Sequence, residues 1–195
     1  MRAFRSVTSP AAVLDRPDVD TDQIVPKQFL KRIERTGYGE FLFYDWRQNP
    51  DFELNRPECR GAKILLTGPN FGCGSSREHA AWALQDYGFE VVVAPSFGDI
   101  FFSNAVQIGL VPVTFPAADV KSLMHAALDG SELTVDLETA TIADSSGRSL
   151  RFEMDPFVRH CLLHGLDAIM RTLQHEADIS AFEARAQSPV ETTAL

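Results

Sequence analysis

The stretch Lys63-Ile64-Leu65-Leu66-Thr67-Gly68-Pro69-Asn70-Phe71-Gly72-Cys73-Gly74-Ser75-Ser76-Arg77-Glu78-His79-Ala80 changes character twice. Residues 63–67 are a short apolar run bounded by glycine, the pattern of a buried strand. Three glycines within Gly68–Gly74 make a loop. Residues 76–87 then read as a helix, with Ala80, Ala83, Leu84 and Tyr87 on one stripe and Gly88 in the stop position. The pattern repeats downstream. Glu90–Ala94 is a strand closed by Pro95, residues 98–108 are a helix with Phe101, Ala105 and Ile108 inward and Gly109 at its end, and Val111–Phe115 is a third strand. Strands separated by helices of this length imply parallel pairing with right-handed crossovers.

Beyond this core, residues 117–129 read as a helix. Leu133–Leu137, Thr141–Ala143 and Leu150–Phe152 read as an antiparallel meander, with Ser145-Ser146-Gly147 as a turn. Residues 156–175 are helical, divided near Gly165, and residues 186–195 read as a flexible tail. On the other side, residues 3–14 suggest one strand, and Asp15-Arg16-Pro17-Asp18-Val19-Asp20-Thr21-Asp22 an acidic turn. A short helix follows Pro26 over 26–36, with Phe29, Leu30 and Ile33 on one face. The region 37–60 is the least regular, a length of loop that is often functional. The expected fold is α/β: one domain over 1–185, its mixed sheet combining a parallel strand–helix–strand core with antiparallel strands.

Charge and cysteine use narrow the function. Eighteen Lys and Arg against 27 Asp and Glu give a net charge of −9 in 195 residues, with no basic run. Phosphate contacts dominate nucleic-acid affinity, so a nucleic-acid partner is excluded. A small anionic substrate would need a local cluster of donors against the global field. Three scattered cysteines, Cys59, Cys73 and Cys161, fit a reducing compartment and supply no usual zinc or iron–sulfur ligand spacing. Apolar runs are too short to span a bilayer, and the N-terminal residues lack a signal-peptide core. The reading is a soluble cytoplasmic protein with no membrane partner.

The glycine-rich loop sits where a strand feeds a helix, the place where backbone N–H groups and the helix dipole favour anions. The common nucleotide motifs fail. No lysine lies between Lys63 and Lys121, which excludes a P-loop, and Arg77 stands where the dinucleotide fingerprint needs its third glycine. The hydrolase elbow would need glycine at 73 and 77 around Ser75. What converges instead is Ser75, Ser76 and Arg77, two hydroxyls beside a guanidinium able to grip a carboxylate with two hydrogen bonds. A purely structural alternative exists, since Ser75 and Glu78 are spaced as a capping box. Cys73 beside a helix start, with His79 near, could be an activated thiol or a small residue in a tight turn. Asp18, Asp20 and Asp22 could chelate calcium but lack the glycine and glutamate of an EF-hand. Lys31 and Arg32 could be a solvated helix face.

At these residues the chain resembles a known family. Asn70-Phe71-Gly72-Cys73-Gly74-Ser75-Ser76-Arg77-Glu78-His79-Ala80, preceded by Asp20-Thr21-Asp22-Gln23-Ile24-Val25-Pro26, is similar to the small subunits of 3-isopropylmalate dehydratase. These are the swivelling C-terminal domain of the aconitase superfamily made as a separate chain. Pro95-Ser96-Phe97-Gly98-Asp99-Ile100-Phe101 extends the similarity over nearly the whole chain. The resemblance implies a hydro-lyase of leucine biosynthesis, interconverting 2- and 3-isopropylmalate by dehydration and rehydration. It implies no cofactor in this chain and a large partner subunit carrying a [4Fe–4S] cluster. It makes Ser75 the base that removes the carbon-bound proton, Asp22 a second catalytic residue, and Ser76 and Arg77 substrate-binding residues. It places substrate recognition near Leu30, Lys31 and Arg32, with Leu30 suited to an apolar substituent and the two cations to a further carboxylate. Two other enzymes stay open, a homoaconitase-type hydro-lyase and a self-contained Cys73 hydrolase. So does a non-catalytic anion-binding module.

Overall fold

The computed structural model describes residues 1–31 and 34–186. In chain order the elements are β1 (Ser6–Ser9), β2 (Ala11–Leu14), α1 (Thr21–Ile24), α2 (Tyr44–Arg47), β3 (Ile64–Thr67), α3 (Glu78–Tyr87), β4 (Val91–Ala94) and α4 (Asp99–Ile108). They continue as β5 (Val111–Thr114), α5 (Ala117–Leu128), β6 (Leu133–Asp136), β7 (Thr141–Asp144), β8 (Ser149–Arg151), α6 (Pro156–His164), α7 (Ala168–Leu173) and α8 (Glu176–Glu183). The strands form two sheets. One is parallel in the order β2-β3-β4-β5, the other antiparallel in the order β1-β6-β7-β8.

The strand expected over residues 3–14 is two strands in different sheets. Proline has no N–H for a ladder, and Pro10 is where the chain leaves one sheet for the other. Before it, Val7 pairs with Val135 of β6; after it, Ala11 pairs with Ile64 of β3. Ser9 is buried at the switch. Its hydroxyl donates to the Pro10 carbonyl at 2.8 Å and accepts the Lys63 N–H at 2.9 Å. The side chain thus satisfies a backbone donor that neither sheet pairs there.

The parallel strands are apolar except for a closing threonine in β3 and β5, because both faces are covered. Ala12, Leu14, Leu65, Val92 and Ala94 face one core, built with Ala80, Ala83 and Leu84 of α3 and Phe101 and Ala105 of α4. Ile64, Leu66, Val91, Val93, Val111 and Val113 face the other, built with Val120, Leu123 and Met124 of α5 and with Val7, Leu133, Val135 and Ile142 of the antiparallel sheet. That second sheet alternates buried and exposed residues, as one-sided strands do.

The region 37–60 is packing rather than open loop. It contains α2 and tight 3-10 turns, and it buries Tyr38, Leu42, Phe43, Phe52 and Leu54. The Tyr38 N–H donates to the Asp86 carboxylate of α3 at 2.9 Å, and the Arg47 guanidinium lies 4.3 Å from the Tyr87 ring centroid. The helix expected over 26–36 is a 3-10 turn at Lys27–Lys31, and Arg32 and Ile33 lie outside the described residues. The helical region after residue 156 comprises α6 and α7, as read around Gly165, and α8 extends it further. Of the expected tail, Ala186 still closes the last helical turn onto Phe182, and residues 187–195 lie outside the described residues.

Ser9→Ala tests the sheet switch. Removing the hydroxyl leaves the Lys63 N–H without its acceptor, so unfolding free energy should drop by about 1–3 kcal/mol. Urea melts should show a lower midpoint with an unchanged slope.

Candidate functional site

Three loops leave the C-terminal ends of β2, β3 and β4 on the same edge of the parallel sheet, the edge where open α/β sheets bind ligands. They are tied to one another by backbone bonds. Asp18 N–H donates to Pro69 O at 2.9 Å, Gly72 N–H to Val19 O at 2.7 Å and Thr21 N–H to Cys73 O at 2.9 Å. On the other side, Phe71 N–H donates to Ser96 O at 3.1 Å, Gly98 N–H to Phe71 O at 2.9 Å, and Asn70 N–H to the Ser96 hydroxyl at 2.9 Å. The central loop is therefore a short strand-like rung between its neighbours. Gly72 has φ +73°, and a Cβ there would sit 2.2 Å from Cγ of the buried Phe101 ring. Gly98 approaches so closely that its Cβ would lie 2.6 Å from the Gly72 carbonyl oxygen.

This clamp presents Ser75 and Ser76 to solvent at the head of α3, both exposed. The capping box that Ser75 and Glu78 offered as a structural alternative does not form. α3 begins at Glu78, its N-cap is Arg77 in extended conformation at φ −145°, and no side chain caps it. Ser75 lies before the cap. The N–H groups and positive dipole end of α3 thus remain directed at the serine loop. The capping box is on α1 instead. Asp20 Oδ1 accepts from Gln23 N–H at 2.7 Å, and the Gln23 side chain accepts from Asp20 N–H at 2.9 Å.

Asp18, Asp20 and Asp22 each have a partner in the protein. Asp18 accepts from the Asn70 amide at 2.8 Å, Asp20 caps α1, and Asp22 pairs with Arg77 through one oxygen and with Lys27 Nζ at 3.4 Å through the other. Among the described residues no three His, Cys, Asp or Glu side chains group to hold a metal ion. The three carboxylates of Asp18, Asp20 and Asp22 thus point to separate partners rather than to one another.

Arg77 is mostly covered, at 12% side-chain exposure, and Asp22 is one-third exposed. An ion pair this close to water contributes at most about 1 kcal/mol, so its consequence is orientation. One end of the guanidinium is held on Asp22, while a guanidinium has five N–H donors in all. Asp22, Ser75, Ser76 and Arg77, expected together from residues far apart in sequence, are brought together. Leu30 is half-buried and packs against the first core beside Phe29, while Lys31 is exposed. The turn carrying them starts at Lys27, the partner of Asp22. Arg32 lies outside the described residues.

Cys73 is poorly suited to nucleophilic chemistry. Burial pushes its thiol above the ordinary range, and the Asp20 and Asp18 carboxylates push the same way. A reactive thiolate needs the reverse. His79 turns away to the aromatic side, its ring centroid 5.1 Å from Tyr38 and 4.7 Å from Trp82, with Nδ1 buried and without a partner. Burial lowers its pKa, with Glu78 opposing and Arg77 adding slightly.

Sequence reasoning missed Thr21, Asn70 and Ser96 as parts of the site. A signal existed for the first: Asp20 followed three residues later by Gln23 marks a helix start, which would have placed Thr21 at the first position of a helix facing the glycine loop. Nothing in the sequence alone marks Ser96 as the acceptor for Asn70.

Comparison with known proteins follows the same lines. Residues 1–118 match the family model described as the aconitase C-terminal domain, and residues 121–156 the model described as LeuD_N. The chain is 56% identical over 192 residues to the 3-isopropylmalate dehydratase small subunit of Rhodopirellula baltica, covering 94% of this chain and 98% of that one. It is 56% identical over 185 residues to that of Acidobacterium capsulatum, covering 94% and 90%. To that of Bacillus subtilis it is 52% identical over 195 residues, covering 96% and 98%. The crystal structure of a 3-isopropylmalate dehydratase chain from Methanocaldococcus jannaschii superposes with a TM-score of 0.69 at 24% identity, over 91% of this chain and 99% of that one, and supports the fold.

His79 gives a pH test. Its folded-state pKa lies below the unfolded value, so the unfolded chain takes up a proton first as pH falls. The associated stability is present above about pH 6.5 and is lost on acidification. His79→Phe keeps a ring between Tyr38 and Trp82 and removes the titration. In urea melts, its stability relative to wild type should rise between pH 7.5 and pH 5; a constant difference would place the proton elsewhere.

Proposed function

The chain belongs to the family of 3-isopropylmalate dehydratase small subunits, and from that membership and the site's geometry we propose that it is the small subunit of a hydro-lyase interconverting 2- and 3-isopropylmalate. The observation that carries the reading is the exposed Ser75–Ser76 pair at the uncapped head of α3, beside an Arg77 held by Asp22. It acts with a large subunit that carries a [4Fe–4S] cluster. The enzyme belongs to leucine biosynthesis and is placed in the cytoplasm. No helix among the described residues is long and apolar enough to cross a membrane.

The chemistry asked of this chain is proton transfer and carboxylate binding. Ser75 Oγ takes the proton from the substrate carbon as the hydroxyl departs from the adjacent carbon, giving an unsaturated diacid. Returning that proton and the hydroxyl group, each to the carbon that the other left, completes the isomerisation. A serine hydroxyl is a weak base in water, so its anionic form needs nearby donors and a dry site. The α3 N-terminus supplies the first; closure of the large subunit over this open edge supplies the second. Arg77 presents its free N–H groups to a substrate carboxylate, Ser76 hydrogen-bonds beside it, and Asp22 fixes the guanidinium. The turn bearing Leu30, Lys31 and Arg32 reads the rest of the substrate. Residues 1–185 act as one swivelling domain.

The test is co-expression with a cluster-bearing large subunit and an anaerobic isomerisation assay of the complex. The small chain alone should be inactive, and turnover should appear with the partner. Activity of the isolated chain, or none with any cognate large subunit, would overturn the reading.

Ser75→Ala separates chemistry from stability. Because Ser75 is exposed and is not a cap, unfolding free energy should stay within about 0.5 kcal/mol. Turnover in complex should drop by about 10²–10⁴-fold or more. Near-normal turnover would remove Ser75 from the mechanism.

Arg77→Lys replaces a fork by a point charge. An ammonium held by Asp22 has no second planar edge for the substrate, so KM should rise and kcat drop together. Unchanged kinetics would show that Arg77 serves only its pairing with Asp22.

A further inference from the structure

Ser75 sits on an exposed loop, yet a base must be held within a few tenths of an ångström of its productive position. What fixes it comes from the neighbouring strand's loop. Thr21, the first residue of α1, is 2% exposed. Its N–H donates to the Cys73 carbonyl at 2.9 Å and its hydroxyl to the Ser75 carbonyl at 3.0 Å. The two bonds seize alternate carbonyls on either side of Gly74, a residue at φ +90° that has no stereochemical preference of its own for this conformation. A Cβ on Gly74 would lie 3.6 Å from Thr21 Oγ1, so the threonine packs directly under the turn. Thr21 is itself held from behind, because α1 is fixed by the Asp20–Gln23 capping box and the Val25 N–H donates to the Thr21 carbonyl at 3.0 Å.

We propose that Thr21 is a positioning residue for the reaction: its buried hydroxyl, bonded to the Ser75 carbonyl, sets the direction in which Ser75 Oγ leaves the loop. The three consecutive residues Asp20, Thr21 and Asp22 then divide the work. Asp20 starts the helix, Thr21 fixes the serine backbone, and Asp22 fixes Arg77. The inference rests on the reading of Ser75 as the base, and the experiment separates the two.

Thr21→Val keeps the shape of the side chain and removes the hydroxyl; Thr21→Ser keeps the hydroxyl and removes a methyl. Both are assayed in complex with the large subunit on 3-isopropylmalate, beside Ser75→Ala. Amide hydrogen exchange of residues 73–77 is followed in the same proteins. Thr21→Val should lower kcat at least tenfold with KM within about twofold, and speed exchange at residues 73–77 while leaving the β3 and β4 amides protected. Thr21→Ser should recover most of the kcat. A Thr21→Val complex with wild-type kcat overturns the proposal. So does a Thr21→Ser complex as impaired as Thr21→Val, which would make the methyl contact the operative one. If Ser75→Ala keeps its turnover, the base reading fails and the proposal with it, whatever the exchange at residues 73–77 shows.

Discussion

The arrangement depends on one constraint: a loop that must expose its side chains still has backbone N–H and carbonyl groups to satisfy. A leaving serine on an irregular, glycine-rich segment cannot rely on its own helix or strand for this. Here the groups are satisfied sideways, by the loops after β2 and β4, so that residues 70–75 lie between two neighbours as a rung lies between rails. That solution leaves no room for side chains at two places: Gly98 lies against the Gly72 backbone, and Gly72, at φ +73°, lies against the Phe101 ring. The same three loops share one edge because the sheet is parallel and consecutive in the order β2-β3-β4. Site and fold are thus consequences of one topology.

The parallel sheet in turn needs cover on both faces, and the chain finds it by two different means. α3 and α4, with the aromatic segment after α1, close one side. α5 and the antiparallel sheet close the other. The switch at Pro10 lets residues 6–14 serve both sheets, with Val7 in one and Leu14 in the other. The first core lies beneath the site, since Phe71 and Phe101 belong to it and stack edge to face at 5.2 Å between centroids. Rigidity at the serine loop therefore draws on the buried aromatic layer; each fully buried large side chain contributes about 1.5–3 kcal/mol.

Much of this was legible in the residues. The run Lys63–Ala94 shows buried strands and an amphipathic helix by apolar pattern alone, and the parallel core follows from it. Elements whose form is set by tertiary partners were not. Residues 3–14 alternate well enough for one strand; only the neighbour across Pro10 shows there are two. Ser75-x-x-Glu78 and Asp20-x-x-Gln23 both satisfy the local grammar of a helix start, and the structure uses the second. There Thr21 also engages the Ser75 carbonyl, a contact between distant segments that no local pattern contains. The region 37–60 looked irregular because short 3-10 turns have no periodicity to read, although its aromatic content was a sign of burial. At the site, Asp22, Ser75, Ser76 and Arg77 carried their own signal as a motif pair, while Ser96 and Asn70 act through backbone and hydroxyl bonds that leave no distinctive pattern.

Electrostatics explains how a chain of net charge −9 can receive a doubly charged anion. The acidic residues nearest the site are each engaged within the protein: Asp18 accepts from the Asn70 amide, Asp20 caps α1, and Asp22, the one paired with cations, lies between Arg77 and Lys27. What remains exposed is the head of α3, without a capping side chain, together with Ser75 and Ser76, beside a mostly covered Arg77. Donors of this kind are weak while water competes for them and strong once it is excluded. An open edge that supplies donors but no enclosure is half of a site by its physics. The half-buried Cys73 does not share in this: the Asp20 and Asp18 carboxylates beside it disfavour a charge there, which suits it to packing rather than to nucleophilic chemistry.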